Sequence, residues 1–214
     1  MTTHLPSHAE LGRMISGGFT GTEKDYSQRI AVLKSLRTVA GGRLLDFGAS
    51  WGYGTWQFRQ AGFDAVGFET SKPRARFGRE HLKLPLFDTI ESVGAEYDVI
   101  FCAHVIEHMP RPSELFYIAR HRLRKGGLLV AFMPNGTVRR LAIDRTLYNH
   151  SWGRLHPAYI DEEFCRRQAG DRPLLLDSRP YGGWKDLDAI AQWHRKSDLT
   201  LNLENPELLA VCAY

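Results

Sequence analysis

The run Leu44-Leu45-Asp46-Phe47-Gly48-Ala49-Ser50-Trp51-Gly52-Tyr53-Gly54 joins a short apolar segment to a glycine-rich turn, and its reading decides the fold. Leu44, Leu45 and Phe47 predict a buried strand. The glycines let the backbone turn tightly and approach a ligand before a helix begins. About twenty residues on, Glu69 closes the next apolar run, Val66-Gly67-Phe68-Glu69, where a carboxylate can take both hydroxyls of a ribose. Turn and acid together predict a nucleoside-binding cleft at one end of an open α/β sheet.

The turn also says which nucleosides fit. A dinucleotide site needs its glycines at G-x-G-x-x-G spacing and a helix N-terminus free to hold pyrophosphate. Here the glycines stand at 48, 52 and 54, and Asp46 sits directly before them. That carboxylate would repel a pyrophosphate and attract a cation. S-adenosylmethionine (SAM), with a sulfonium, an ammonium and no phosphate, satisfies the electrostatics. No Gly-Lys-Ser/Thr follows, so a P-loop is excluded.

Outward from the turn, short apolar runs alternate with amphipathic segments. Strands are expected at 43–47, 65–68, 84–87, 97–103 and 128–133, with helices at 55–61, 73–82 and 112–123. Pro73 and Pro112 fall where a first helical turn tolerates a missing N–H, and Gly126-Gly127 follows a basic helix end. This rhythm predicts a parallel sheet covered on both faces. Upstream, 26–36 reads as a helix on the domain edge, and residues 1–25 read as a loose arm. Downstream, 138–157 is rich in Arg, aromatic and His residues and reads as a lid or insert. A helix at 159–168, opened by Asp161, Glu162 and Glu163, follows, then strands at 174–176 and 208–214 with a helix near 187–193 between them. No linker divides the chain, so the expectation is one domain, 1–214.

Composition narrows the classes further. The chain has 214 residues, 43% hydrophobic and 24% charged, which excludes disorder for most of it. The longest apolar stretch is far shorter than the roughly 20 residues that a bilayer span needs. The first ten residues do not resemble a signal peptide. Cys102, Cys165 and Cys212 are odd in number and lack C-x-x-C spacing, which points to a reducing cytoplasm. A net charge of +4 does not demand nucleic acid.

With these residues in place, the chain resembles the class I SAM-dependent methyltransferases, within the type 11/type 23 methyltransferase domain group. The resemblance covers about residues 43–135 well and the rest loosely. It implies a Rossmann-like three-layer sandwich with a seven-stranded, mostly parallel sheet and an antiparallel last strand. Asp46, Gly48 and Gly52 fall on the family's first motif, with Ala49 inside it. Ser50 stands where the middle glycine is usual. Glu69 matches the ribose-binding acid, and Asp88 is similar in position to the acid that meets adenine. Tyr97-Asp98-Val99-Ile100 and His104-Val105-Ile106-Glu107-His108-Met109-Pro110 look like the segment that opens onto the cofactor, His104 included. The implied cofactor is SAM, held by Asp46, Gly48, Ala49, Ser50, Gly52, Glu69, Asp88 and His104.

The histidines carry the remaining chemistry. His104-x-x-Glu107-His108 spells the H-x-x-E-H pattern of some zinc proteases, but it ends a buried strand and meets Pro110 at once, so that reading is set aside. Some class I enzymes with a similar Glu-His segment bind a divalent metal there, and Glu107, His108 and His156 would be the corresponding set. His104 stands where those relatives carry an acid, so no metal is expected. A histidine titrating near neutrality suits removal of a hydroxyl proton, which makes His104, His108 and His156 the candidate catalytic residues. The expected acceptor is a small molecule, a sugar or secondary metabolite, with the 152–156 region and Tyr181 shaping its pocket. Two further readings stand beside this one. One is a non-catalytic nucleoside-binding protein; the other is an RNA methyltransferase, which would need an arginine face including Arg139, Arg140, Arg145 and Arg154.

Overall fold

Leu44, Leu45 and Phe47 are buried because strand β1 (Arg43–Phe47) has a parallel neighbour on each side. The computed structural model describes residues 4–37, 42–153 and 156–214. In chain order, α1 (His8–Ser16) and α2 (Ser27–Ser35) precede β1. Next come α3 (Tyr53–Gln60), β2 (Asp64–Phe68), α4 (Lys72–His81), β3 (Leu86–Phe87) and β4 (Tyr97–Ala103). They are followed by α5 (Ser113–Arg122), β5 (Leu123–Pro134), α6 (Val138–Ile143), α7 (Arg145–Ser151) and α8 (Glu162–Ala169). The chain closes with β6 (Leu174–Arg179), α9 (Asp188–Ala191), β7 (Leu199–Thr200) and β8 (Glu207–Ala213).

Among the described residues the sheet has eight strands in the order β3-β2-β1-β4-β5-β8-β6-β7, one more than the seven expected. The extra strand is the two-residue β7, parallel to β6 at the edge. The antiparallel last strand is present: β8 runs against both β5 and β6. The order reverses at β1, with β2 and β3 on one side and β4 on the other, and the carboxyl ends of β1 and β4 therefore open one crevice.

Each face of the sheet is covered. On one side Leu115, Phe116 and Ala119 of α5 and Cys165 of α8 pack on Leu45, Ile100 and Leu129. On the other, Val32 and Leu33 of α2 and Phe58 of α3 pack on Leu44, Phe101 and Val130. The helix expected at 159–168 is α8, which starts later, at Glu162; its cap is the Asp161 carboxylate, which accepts from the Phe164 amide at 2.7 Å.

The N-terminal region departs from the loose arm expected of it. Ser7 and Glu10 form a reciprocal capping box at the start of α1. Leu11 and the fully buried Phe19 then pack with Trp51, Ala75 and Leu84 in a satellite cluster. In the expected lid, α6 and α7 are short helices capped by Thr137 and Asp144. The Tyr148 hydroxyl donates to the Gly136 carbonyl at 2.9 Å, and Trp152 stacks on Tyr159 with ring centroids 4.7 Å apart.

Candidate active site

The turn after β1 is left-handed at three positions, with φ of +82° at Gly48, +52° at Ser50 and +92° at Gly52. A Cβ on Gly48 would come within 2.3 Å of Val105, so this glycine allows the turn to lie against the loop after β4. The amides of Gly48 and Ala49 donate to the Phe68 carbonyl at 2.8 and 2.9 Å, which binds the turn to the end of β2. That brings Glu69 beside it. One carboxylate oxygen of Glu69 accepts from the Ser50 amide at 2.9 Å, and the other accepts from the Ser71 amide at 2.7 Å. The carboxylate is thus fixed in orientation while each oxygen keeps a further lone pair.

A cavity of about 1410 Å³ opens here, with Gly48, Ser50, Glu69, His104 and His108 in its wall. That is larger than the roughly 300–1,000 Å³ of most ligand pockets, so it has room for two molecules side by side. Other predicted residues stand back from it. Ala49 and Gly52 support the turn against the satellite cluster and against Leu84 and Leu86. Asp46 lies beneath the turn, buried, accepting the Thr55 hydroxyl at 2.7 Å. Burial pushes its carboxyl up to about 7, although the Thr55 hydroxyl acts in the other direction. Asp88 does not join the cavity wall; it pairs with Arg79 at 3.3 Å. The wall near the ends of β2 and β3 is Phe68, Thr70 and Ile90 instead.

His104 stands between two carboxylates. It sits at the end of β4 with φ of +54°, its amide donating to the Phe132 carbonyl at 2.8 Å. Its ring bridges two fully buried carboxylates, Nε2 to Glu207 at 2.7 Å and Nδ1 to Glu107 at 3.4 Å. Burial disfavours its charged form, but the hydrogen bonds with Glu107 and Glu207 prevail and hold the imidazole up to about 9. An imidazolium has no lone pair with which to accept a proton.

Glu207 is the residue whose role sequence reasoning missed. Besides His104, its carboxylate accepts from Trp184 Nε1 at 2.6 Å and from both terminal nitrogens of Arg29, one of them at 2.9 Å. Arg29, His104 and Trp184 all reach the cavity wall. The only signal in the sequence was an acid opening the apolar run Glu207-Leu208-Leu209-Ala210-Val211, at the head of the central antiparallel strand.

On the far side of His104 stands a second cluster. Glu107, His108 and His156 bring one potential ligand atom each within 4.8 Å of the others. The His108 and His156 rings are 4.8 Å apart, and the Ala158 amide donates to the Glu107 carbonyl at 3.3 Å, which brings the 156–158 segment to this place. His156 Nδ1 contacts the Ser151 carbonyl, an arrangement that puts the proton on Nδ1 and leaves Nε2 as the acceptor. Apart from the His104 Nδ1 contact at 3.4 Å, the buried carboxylate oxygens of Glu107 have no hydrogen-bond partner among the described residues. Such a group fits a cation, so the residues present suit a divalent metal despite His104. His156 and Trp152 lie behind His108 and are not among the described residues of the cavity wall; Tyr181 is. The arginine face is broken: Arg140 is buried, and Arg154 lies outside the described residues.

A family model described as a methyltransferase domain matches residues 22–172. The chain belongs to that methyltransferase domain family. Among curated proteins, this methyltransferase domain is 23% identical over 122 residues to the ubiquinone biosynthesis O-methyltransferase of Hydrogenovibrio crunogenus, covering 52% of this chain and 51% of that protein. The chain spans about half the length of the curated relatives that it matches. Among solved structures, a SAM-dependent methyltransferase from Archaeoglobus fulgidus aligns over 97% of this chain and 100% of its own, with a TM-score of 0.61 at 14% identity. The plantazolicin methyltransferase BpumL, solved with S-adenosylhomocysteine (SAH), aligns over 97% and 91% with a TM-score of 0.59 at 14% identity. These likenesses establish the fold of the methyltransferase domain: a mixed, mostly parallel α/β sheet.

Proposed function

We propose that this methyltransferase domain uses SAM to methylate a hydroxyl of a small-molecule acceptor. The observation that carries the reading is Glu69, oriented by two amides and facing the cavity beside the left-handed turn. A ribose diol fits its free lone pairs, and the buried Asp46 favours a cationic ligand over a phosphorylated one. The O-methyltransferase names of the curated relatives agree with oxygen as the atom that receives the methyl group.

In the proposed reaction the acceptor oxygen attacks the sulfonium methyl in line. The C–S bond breaks as the C–O bond forms, SAH leaves as a neutral thioether, and the hydroxyl proton is taken up by the protein. Alignment supplies most of the rate. His108, in the cavity wall, takes the proton, while His104 is a fixed cation beside it. Glu107, His108 and His156 are also the residues that would hold a divalent cation, and such an ion would supply Lewis-acid polarisation of the acceptor oxygen in place of the His108 base. The reading includes a reducing, cytoplasmic setting, in keeping with three free, buried cysteines. Among the described residues no helix is long and apolar enough to cross a membrane.

Isothermal titration with SAM and SAH tests the cofactor, and a labelled-methyl screen over acceptor pools, with products identified by mass, tests the reaction. Binding of both nucleosides and its loss in Glu69→Ala are expected. No binding by the wild type, or an unaffected Glu69→Ala variant, refutes the proposal. For the cation, cobalt(II) titration of the wild type is expected to produce visible d–d absorption that Glu107→Gln and His156→Ala abolish.

A further inference from the structure

A guanidinium carries five N–H donors and a permanent charge, so burying one without an acid beside it is costly. Arg140, in the first turn of α6, is only 8% exposed, yet among the described residues no carboxylate pairs with it. The residues outside the described ones include no Asp or Glu. The buried acids nearby are engaged elsewhere: Glu207 with Arg29, His104 and Trp184, and Asp177 with Arg179 at 2.9 Å. The single hydrogen bond of the Arg140 guanidinium is a long one, from Nη1 to the Glu204 carbonyl at 3.5 Å. Nε and Nη2 have no partner among the described residues, and neither is sealed from the surface.

The surroundings hold this arginine in place at the crevice end of the sheet. The Thr137 hydroxyl accepts the Arg140 amide at 3.2 Å and donates to the Leu203 carbonyl at 2.9 Å. The Asn135 side chain donates to the carbonyls of Leu203, at 2.9 Å, and Asn205, at 2.7 Å. The turn after β5 is thereby fixed against the segment entering β8. From the other side, Arg179 at the end of β6 faces Glu207 in the strand register, and Tyr181 follows two residues later. Tyr181 lies in the cavity wall with its ring centroid 5.9 Å from that of His104. Its hydroxyl has no hydrogen-bond partner among the described residues, and the Arg140 charge acts on it. Arg140 and Tyr181 thus converge, from β5 and from β6, on the head of β8.

We propose that Arg140 and Tyr181 form a subsite for a carboxylate on the methyl acceptor, which makes hydroxy acids the acceptor class. Nε and Nη2 together are one edge of the guanidinium, the fork that takes a planar carboxylate through two parallel hydrogen bonds. The Tyr181 hydroxyl, at the cavity wall, supplies a further donor. The proposal rests on the methyltransferase reading and gives its small-molecule acceptor a negative charge.

The test compares acids with their neutral amides. SAH-loaded protein is titrated with 3-hydroxybenzoate against 3-hydroxybenzamide, and with lactate against lactamide. Affinity is followed together with the nitrogen-15 resonance of the Arg140 Nε–H, assigned by its loss in Arg140→Lys. At least one acid is expected to move that resonance and to bind roughly tenfold or more tightly than its amide, as hydrogen bonds between charged groups require. Arg140→Gln should bring acid and amide within about twofold of each other and leave SAH affinity within about twofold of wild type. Arg140→Lys, which keeps the charge without the fork, should fall between. Tyr181→Phe should weaken the acid by about three- to tenfold and spare the amide. Equal binding of acid and amide by the wild type, an unmoved Nε–H resonance with both acids, or parallel loss of acid and amide in Arg140→Gln overturns the subsite. If Arg140→Gln does not fold, the wild-type and Arg140→Lys titrations decide alone. Wild type that binds SAH but does not distinguish acid from amide loses only this subsite, whereas failure to bind SAH removes the SAM reading itself.

Discussion

Burial holds the Asp46 carboxyl at about 7 against an ordinary 3.8, with the Glu69 charge adding to the effect and the Thr55 hydroxyl opposing it. Because the folded value lies above the unfolded one, the folded state binds the extra proton, and Asp46 costs stability as pH rises from about 4 to about 7. Above that the cost is constant. Asp46→Asn should flatten this part of the stability profile, measured as melting temperature from pH 4 to 8. A cationic ligand reverses the balance by favouring the carboxylate. SAM binding near pH 6 should therefore release up to one proton, read by calorimetry in buffers of different ionisation heat, and Asp46→Asn should abolish the release. Gly48 makes a sharper residue-scale case. Its φ of +82° disfavours any side chain, and a Cβ would strike Val105 at 2.3 Å. Gly48→Ala should cost roughly 2–4 kcal/mol in denaturant unfolding, the sum of left-handed strain and overpacking, and should displace the turn from Glu69.

At the scale of elements, α1 is the part of the fold whose stability is local. It rests on Leu11 and Phe19 in the satellite cluster, and Phe19 adopts a φ of +62° to reach Trp51 and Trp56 at centroid distances of 6.0 and 5.5 Å. Removing that ring forfeits roughly 3–5 kcal/mol, more than one short helix can retain. Phe19→Ala should therefore release amide protection over His8–Ser16 in hydrogen exchange and leave β4 and β5 protected. Uniform loss across the chain would contradict a local role. The same element shows where the sequence was hard to read. Gly12 interrupts its apolar pattern and Gly17-Gly18 follows it, so the hydrophobic period is weak; the readable sign was the cap, Ser7 with Glu10 three residues later. The central strands were legible because burial on both faces writes continuous apolar runs. β7 was not, since two residues carry no period, and neither was the start of β5, which follows α5 without a break. Within the site, the turn and Glu69 could be read because they are local. Arg29 and Glu207 meet across 178 positions, a juxtaposition that only the folded sheet creates.

For the whole molecule, the Glu207 carboxylate joins segments that the topology otherwise leaves independent. It stands at the head of β8, an interior strand between β5 and β6, and receives donors from α2, from the end of β4 and from the Trp184 loop. Gln28 closes a second link, donating to the Gly182 carbonyl at 2.8 Å and accepting from the Trp184 amide at 2.8 Å. This side of the cavity is therefore one cross-braced wall. Two cations surround one fully buried acid, and desolvating all three is costly; the direct hydrogen bonds that the carboxylate accepts from Arg29, His104 and Trp184 offset that cost. Deleting the acid should be worse than its share of the contacts, because Arg29 and His104 are then left to repel each other. Glu207→Ala is expected to lose roughly 3–5 kcal/mol in global unfolding. Glu207→Gln keeps the shape and an acceptor for Arg29 but loses the charge, so it should fall between wild type and Ala. Trp184 fluorescence should shift in both variants as its Nε1–H loses the carboxylate. SAH affinity supplies the contrast: Glu69 is braced by the turn amides and the end of β2 rather than through Glu207, so Glu207→Gln should bind SAH within about twofold of wild type. A joint collapse of stability and SAH affinity in Glu207→Gln would mean that the two halves of the cavity form one cooperative unit.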